Sequence, residues 1–130
     1  RLRYVWRHAP LVAYHPNALA AAEASEAASL QGKFFEFERG LFADQENQRP
    51  SDIIRLAQDL GLDVERFEKD LTSPEVAGRV RDDMLDAEAM NITSVPTLFV
   101  NGRRHIGPYD ARSLLRALAE AAPDAPARVE

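Results

Sequence analysis

The dipeptide Asn101-Gly102 constrains the fold of this chain more than any other feature of its sequence. It separates two runs that are predicted to be extended, residues 97–100 and residues 103–106. Asn-Gly between extended runs is the strongest short-range signal for a two-residue hairpin turn. Pro96 stands immediately before the first run, at a strand entry where a proline loses no ladder hydrogen bond. The sequence therefore predicts a β-hairpin that begins directly after a proline.

Residues 2–7 form another candidate strand, because large apolar or aromatic side chains occupy every second position there. Alternate positions of a strand share one face, and here that face carries Leu2, Tyr4 and Trp6. The opposite face carries Val5 between two arginines. This pattern predicts a half-buried strand at the start of the chain.

Helical periodicity dominates the stretch between these regions and predicts five helices within residues 16–91. The first helix, residues 17–30, is rich in alanine, whose small side chain lets another element approach closely. The second carries an apolar stripe made of Phe34, Phe37, Leu41 and Phe42. The next three helices begin at residues whose side chains are good caps, namely Ser51, Asp63 and Ser73. A sixth helix, after the hairpin, is predicted to be capped by Asp110.

Composition limits the classes of function. Apolar residues make up 45% of the 130 residues and charged residues 28%, as in ordinary folded proteins. The net charge of −5 argues against a nucleic-acid partner, and the basic cluster at residues 103–105 is too short to bind one. The chain has no cysteine, so it can supply neither a thiolate nor a disulfide. No apolar run approaches the ~20 residues that span a bilayer.

The histidines are weak candidates for chemistry. His8, His15 and His105 share no metal-ligand spacing, and none has a carboxylate at a telling offset. Exposed or simply hydrogen-bonded histidines are the commoner outcome. We therefore predict that none of the three is catalytic or binds a metal.

The carboxylates are predicted to be solvated. On the fifth helix they are expected opposite the apolar stripe, at Asp82, Asp83, Asp86 and Glu88. Glu36 and Glu38 flank the phenylalanine stripe of the second helix and are also expected at the surface. The sequence thus predicts no catalytic residue, no metal site and no cofactor.

Several motifs occur together in an order that is specific in combination. They are R-Y-V-W-R-H-A-P-L at 3–11, Q-G-K-F-F-E-F at 31–37, L-G-L-D-V-E-R-F at 60–67 and S-V-P-T-L-F-V-N-G at 94–102. With these motifs the chain resembles the DsbA-like branch of the thioredoxin superfamily. Within that branch it is most similar to the thioredoxin-like domain that follows sodium/proton antiporters of the NhaA type.

The resemblance implies an α/β, thioredoxin-like fold of the DsbA type with a large helical insertion at about residues 16–91. The expected domain covers residues 1–121, and residues 122–130 are expected to be a flexible tail. The first β-α unit of the family, which carries its Cys-x-x-Cys motif, is lacking. The resemblance also implies a cis Val95–Pro96 bond and substrate contacts from Val95, Pro96 and Thr97. A trans bond would instead favour a purely structural helical domain.

The implied function is that of a soluble thioredoxin-like domain, redox-inactive as given, at the C-terminus of a sodium/proton antiporter. Its parent domain is of the thiol–disulfide oxidoreductase type, so enzyme activity stays uncertain. The alternative is a non-catalytic module that binds peptides or proteins through the cis-proline groove and the sheet edge. The expected location is the cytoplasmic face of the membrane, or an exported location if the domain is free-standing.

Partners follow from the same resemblance. The expected partners are an extended peptide or thiol protein, and a membrane only through a fused transporter. No nucleic acid is expected as a partner. Three explanations of the missing unit stay open: a fragment of a longer protein, direct pairing of the two orphaned strands, or a homo-oligomer that joins unpaired sheet edges. The start at Arg1, without an initiating methionine, favours the fragment.

Overall fold

The structure, a computed structural model, describes residues 1–122. The chain divides into two compact units, residues 1–91 and the residues from Ile92 onward. Apart from Ala122, the predicted tail of residues 122–130 lies outside the described residues. Within the described part of the chain, no helix is both long and apolar enough to cross a membrane.

The first unit contains the five helices that the periodicity predicts between residues 16 and 91. They are α1 Ala18–Ser29, α2 Phe34–Ala43, α3 Pro50–Asp59, α4 Val64–Leu71 and α5 Pro74–Ala89. Two predicted caps are confirmed, since the Asp63 side chain accepts a hydrogen bond from the Arg66 amide and Ser73 accepts one from the Val76 amide. Each cap satisfies a backbone donor that the first helical turn leaves unpaired.

The predicted cap of α3 is wrong. The helix begins at Pro50, and Arg49 rather than Ser51 is its N-cap. Proline suits the first helical position because its missing N–H would be unpaired there anyway. Asp52 then accepts hydrogen bonds from the Arg49 amide at 3.2 Å and the Arg49 side chain at 3.0 Å, which fixes the start of the helix.

The core of the first unit is built on the alanine face of α1. Ala24, Ala27 and Ala28 have no exposed surface, and α1 packs against α2, α4 and α5 through this face. Phe37 of α2 and Phe67 of α4 meet beside it with ring centroids 5.5 Å apart, and both are fully buried. Close approach of helices therefore depends on small residues in α1, as the sequence predicts.

The α2 stripe is only partly confirmed. Phe37 and Leu41 are buried, but Phe42 is 58% exposed. Its ring instead lies 6.1 Å from that of Trp6, in the N-terminal segment, residues 1–8.

The predicted strand at residues 2–7 is wrong as a strand, because this segment forms no ladder with any described residue. The predicted alternation of burial is also absent, since Leu2 and Tyr4, at 68% and 59%, are more exposed than Val5 of the opposite face. Two aromatic side chains of the segment nevertheless pack on α2. Tyr4 contacts Phe35 of α2 with centroids 5.8 Å apart, and Trp6 contacts Phe34 at 6.1 Å. Val5, between them, is 53% exposed. Aromatic packing on α2 thus positions the segment without strand pairing.

The second unit contains the predicted hairpin, with β1 at Phe99–Val100 and β2 at Arg103–Arg104. Asn101 and Gly102 both have positive φ, 47° and 80°, as a turn matched to the strand twist requires. The hairpin is shorter than predicted, although the His105 amide donates to the Leu98 carbonyl at 2.8 Å just beyond the strand ends.

Helix α6, Ala111–Ala121, follows the hairpin. Asp110 caps it, as predicted, by accepting a hydrogen bond from the Ser113 amide at 3.0 Å. The Ser113 hydroxyl also donates to Asp110, and the two bonds hold the pKa of the Asp110 carboxyl below its usual value. None of the residues of α6 is buried.

Candidate functional site

The three predicted site residues lie in the turn that leads into β1. The Val95–Pro96 peptide bond is cis, as the resemblance implies. Val95 is 51% exposed, Pro96 is exposed, and Thr97 is half-buried. The Thr97 hydroxyl donates to the Ser94 carbonyl at 2.7 Å, which closes the turn on itself. The turn therefore presents an apolar side chain and a proline ring to solvent.

The strand after this turn has an open edge. Strand β1 pairs with β2 on one side, in the register Phe99 to Arg104 and Val100 to Arg103. No other described strand pairs with it, and the Phe99 side chain is 41% exposed. An open strand edge offers backbone donors and acceptors to an extended chain. The arrangement can therefore bind a peptide by strand addition next to an exposed apolar turn.

A second polar feature lies inside the first unit, and sequence patterns did not indicate it. All the buried polar or charged side chains of the described residues occur there, and we call them the buried polar network: His8, Ser25, Glu26, Glu38 and Asp83.

His8 has a carboxylate partner, contrary to the sequence prediction. Its Nε2 lies 2.9 Å from Oε1 of Glu26, and both side chains are less than a tenth exposed. The other Glu26 oxygen lies 3.2 Å from the Arg79 Nε. The pair was missed because Glu26 is 18 residues away on a different element. A signal was present, since Glu26 lies among the alanines of α1 that were predicted to let another element approach closely.

Asp83 is buried, so its predicted place on a solvated helix face is wrong. One of its oxygens accepts a hydrogen bond from the Arg7 guanidinium at 3.0 Å. The other accepts from the His8 amide at 2.9 Å. The N-terminal segment covers this part of α5, which helical periodicity alone could not show.

Glu38 is also buried rather than at the surface. The Ser25 hydroxyl lies within hydrogen-bond distance of two acceptors, Oε1 of Glu38 and the Ala21 carbonyl. A hydroxyl has one hydrogen, so when Ser25 donates to Ala21, Glu38 has to carry a proton and donate to Ser25. Burial raises the pKa of the Glu38 carboxyl and Glu26 adds to the rise, although Ser25 and His8 oppose it.

Replacing Glu38 by glutamine is expected to stabilise the protein near neutral pH. Because the folded pKa of Glu38 is raised, its stabilising contribution is present below the unfolded pKa and is lost as pH rises through the folded pKa. Glutamine avoids this loss, since it stays neutral and its amide can still donate to Ser25. We expect a gain on the order of 1 kcal/mol at about pH 7 that vanishes under acid conditions.

Urea unfolding of the wild type and Glu38→Gln across this pH range measures the difference. Glu36→Gln, on the same helix, is the matched control, because Glu36 is half-buried and should show no comparable pH dependence. A Glu38→Gln protein less stable than the wild type at neutral pH would contradict the prediction.

The network joins the N-terminal segment to α1, α2 and α5. Its members are too deeply buried for a substrate to touch them. Among the described residues, no group of three His, Asp or Glu side chains could hold a metal ion. The network therefore has a structural role, which is to hold the N-terminal segment on the helices. The exposed turn at Val95 remains the candidate site for binding.

A solved structure places this geometry in a known class. The thioredoxin-like oxidoreductase from Silicibacter pomeroyi superimposes with a TM-score of 0.78 and 26% sequence identity. The match covers 90% of this chain and 66% of that chain. The fold is thus thioredoxin-like, mostly helical with a small two-stranded sheet in the described residues.

The family described as "DSBA-like thioredoxin domain" matches residues 7–119. Since this is most of the 130 residues, the chain belongs to that family. The match begins at Arg7, which pairs with Asp83 of the buried polar network, and extends through the cis-proline turn and the hairpin into α6.

Curated relatives carry transporter names. "Na(+)/H(+) antiporter NhaA 1" of a Mycobacterium species is 55% identical over 119 residues, which is 90% of this chain and 19% of the relative. "Na(+)/H(+) antiporter NhaA 3" of Salinispora tropica is 46% identical over 129 residues, 99% of this chain and 20% of the relative. "Na(+)/H(+) antiporter NhaA" of Herminiimonas arsenicoxydans is 46% identical over 117 residues, with shares of 90% and 18%. The chain thus spans about a fifth of the length of these relatives.

Proposed function

We propose that this chain is the DsbA-type domain of a sodium/proton antiporter. The observation that carries this proposal is the likeness to antiporter-named relatives over nearly the whole of this chain and only a fifth of theirs. Ion transport then belongs to other parts of the antiporter, and this domain is C-terminal and lies at the cytoplasmic face of the membrane.

An immunoblot of fractionated host cells with an antibody to this chain tests the fusion. The expected result is a band several times larger than the chain's 14.5 kDa, in the membrane fraction. Protease added to sealed, right-side-out vesicles should leave the domain intact if it is cytoplasmic. A soluble band near the mass of the chain would contradict the fusion, and digestion in sealed vesicles would contradict the cytoplasmic location.

We further propose that the chain itself does not catalyse thiol–disulfide exchange. Exchange proceeds by attack of a thiolate on a disulfide, and none of the 130 residues is a cysteine. In an insulin reduction assay driven by dithiothreitol, the purified chain should not accelerate the reaction over buffer. A measurable acceleration would refute this proposal without affecting the fusion.

The alternative function, a peptide-binding module, is favoured by the open edge of β1 beside the exposed Val95. Backbone pairing would provide affinity for an extended chain, and the apolar turn would contact its side chains. Such binding needs no thiol, so it is compatible with a redox-inactive domain.

Replacing Val95 by aspartate is expected to weaken peptide binding about tenfold, because a carboxylate at the apolar turn has to be desolvated when a chain docks. Fluorescence anisotropy with labelled, S-carboxymethylated lactalbumin, an unfolded chain without free thiols, measures the affinity. Val12→Asp is the matched control, since Val12 is similarly exposed, at 47%, but lies in the first unit. Equal affinity of both variants and the wild type would reject the site.

A further inference from the structure

The charges of this acidic chain are unevenly distributed. Residues 1–91 contain seventeen Asp and Glu against eleven Lys and Arg. Residues 92–121 contain four arginines and only two carboxylates. Charge asymmetry of this kind is a sign of a polyanion or membrane contact on the basic part.

The four arginines belong to the hairpin and to α6. Together with Ile106 they form what we call the arginine face: Arg103, Arg104, Arg112 and Arg116. Two adjoining depressions, the larger about 260 Å³, bring three of the four arginines together. Arg103 and Arg104 line the larger depression, Arg116 lines the other, and Ile106 lines both. Arg112 precedes Arg116 by one helical turn, on the same side of α6.

These arginines are available for a partner. All four are exposed, and among the described residues none forms an ion pair with a carboxylate. Of the residues that the structure describes, Glu120 is the one carboxylate lining the depressions. Asp110, the other carboxylate of residues 92–121, accepts hydrogen bonds from the amide and the hydroxyl of Ser113.

Large aliphatic side chains accompany the positive charge. Ile106, which lines both depressions, is 90% exposed, and Leu115, which precedes Arg116 in the sequence, is 65% exposed. Tyr109 is 48% exposed and lies next to His105, with ring centroids 5.9 Å apart. Exposed aliphatic side chains next to arginines favour contact with a membrane surface.

We propose that the arginine face binds the surface of an anionic lipid bilayer directly. The arginines contact lipid phosphates, and Ile106 inserts into the headgroup boundary. A nucleic acid fits less well, because its phosphate backbone offers no apolar surface for the almost fully exposed Ile106 to contact. The negative net charge of the whole chain also opposes such binding. The proposal concerns this face alone and holds whether or not the chain is fused to a transporter.

Co-sedimentation of the 130-residue chain with vesicles tests the proposal. Vesicles of phosphatidylcholine with about 30% phosphatidylglycerol should bind the chain, pure phosphatidylcholine vesicles should not, and about 0.5 M salt should release it. The double variant Arg103→Glu, Arg116→Glu should reduce the partition coefficient at least tenfold. The matched control is the double variant Arg39→Glu, Arg81→Glu. It changes the net charge by the same amount, from exposed positions of the first unit. Its partition coefficient should fall only slightly below that of the wild type.

Ile106→Ser separates a bilayer from other polyanions. It should weaken vesicle binding several-fold while leaving retention on a heparin column unchanged. Absence of binding to the anionic vesicles would overturn the proposal, and so would equal losses in the two double variants. Tighter binding to heparin than to vesicles, together with no effect of Ile106→Ser, would show a general polyanion surface instead. Far-UV circular dichroism of every variant should match the wild type, because all substituted side chains are exposed.

Discussion

Asp83→Ala is expected to lower the free energy of unfolding by about 2–3 kcal/mol. Asp83 accepts hydrogen bonds from the Arg7 guanidinium and from the His8 amide, at 3.0 and 2.9 Å. Alanine leaves the amide of His8, a residue only 5% exposed, without a partner. An orphaned buried donor costs more than the net value of the bond, because water cannot replace the lost acceptor.

Urea unfolding followed by circular dichroism measures this loss. Asp82→Ala is the matched control, because Asp82 is the exposed neighbour on the same helix and should change stability by less than about 0.5 kcal/mol. Trp6 is the single tryptophan of the chain and lies two residues from His8, so its fluorescence reports on the N-terminal segment. We expect a red-shifted native spectrum for Asp83→Ala only. Equal stability of the two variants would show that the hydrogen bonds of Asp83 do not stabilise the N-terminal segment.

Local rules predicted a large part of the fold. The hairpin depended on the backbone preference of Asn101-Gly102 for positive φ, and the caps at Asp63 and Ser73 depended on one side-chain bond within the same turn. Such features are decided by residues a few positions apart, so they can be read in the sequence. The cis bond before the hairpin was implied by the family resemblance and not by local rules, since most X-Pro bonds are trans.

The buried polar network could not be predicted from the sequence. Helical periodicity placed Asp83 opposite an apolar stripe and Glu38 at the flank of another, so both were expected in solvent. They are buried because the N-terminal segment and α1 cover that side of their helices, and this covering joins residues far apart in the chain. The predicted strand at residues 2–7 failed for a related reason. Tyr4 and Trp6 do pack on α2, but a strand needs a ladder partner, and no described residue supplies one.

The position of the candidate site was predicted, but its role was not tested. The sequence and the family resemblance brought Val95, Pro96 and Thr97 to attention together, and the structure places them in one exposed turn beside an open edge. What the turn binds depends on groups that another chain would provide. The role of the three residues therefore stays a prediction until the Val95→Asp comparison is made.

Phe67→Ala is expected to destabilise the protein by about 3–5 kcal/mol, the largest loss that we predict. Phe67 is fully buried, its ring lies 5.5 Å from that of Phe37, and it is the one buried residue of α4. Alanine would leave a cavity between α4 and α2 that the surrounding helices can only partly close. Because α4 has eight residues, it is too short to be stable without this packing.

Guanidinium unfolding and amide hydrogen exchange of α4 check this expectation. The control Phe35→Ala removes a ring of the same size that is 46% exposed and contacts Tyr4, so it should cost less than about 1 kcal/mol. Exchange in α4 should become fast in Phe67→Ala and stay slow in Phe35→Ala. Similar losses in both variants would contradict the prediction, because packing of the N-terminal segment on α2 would then contribute as much stability as the core beside α1.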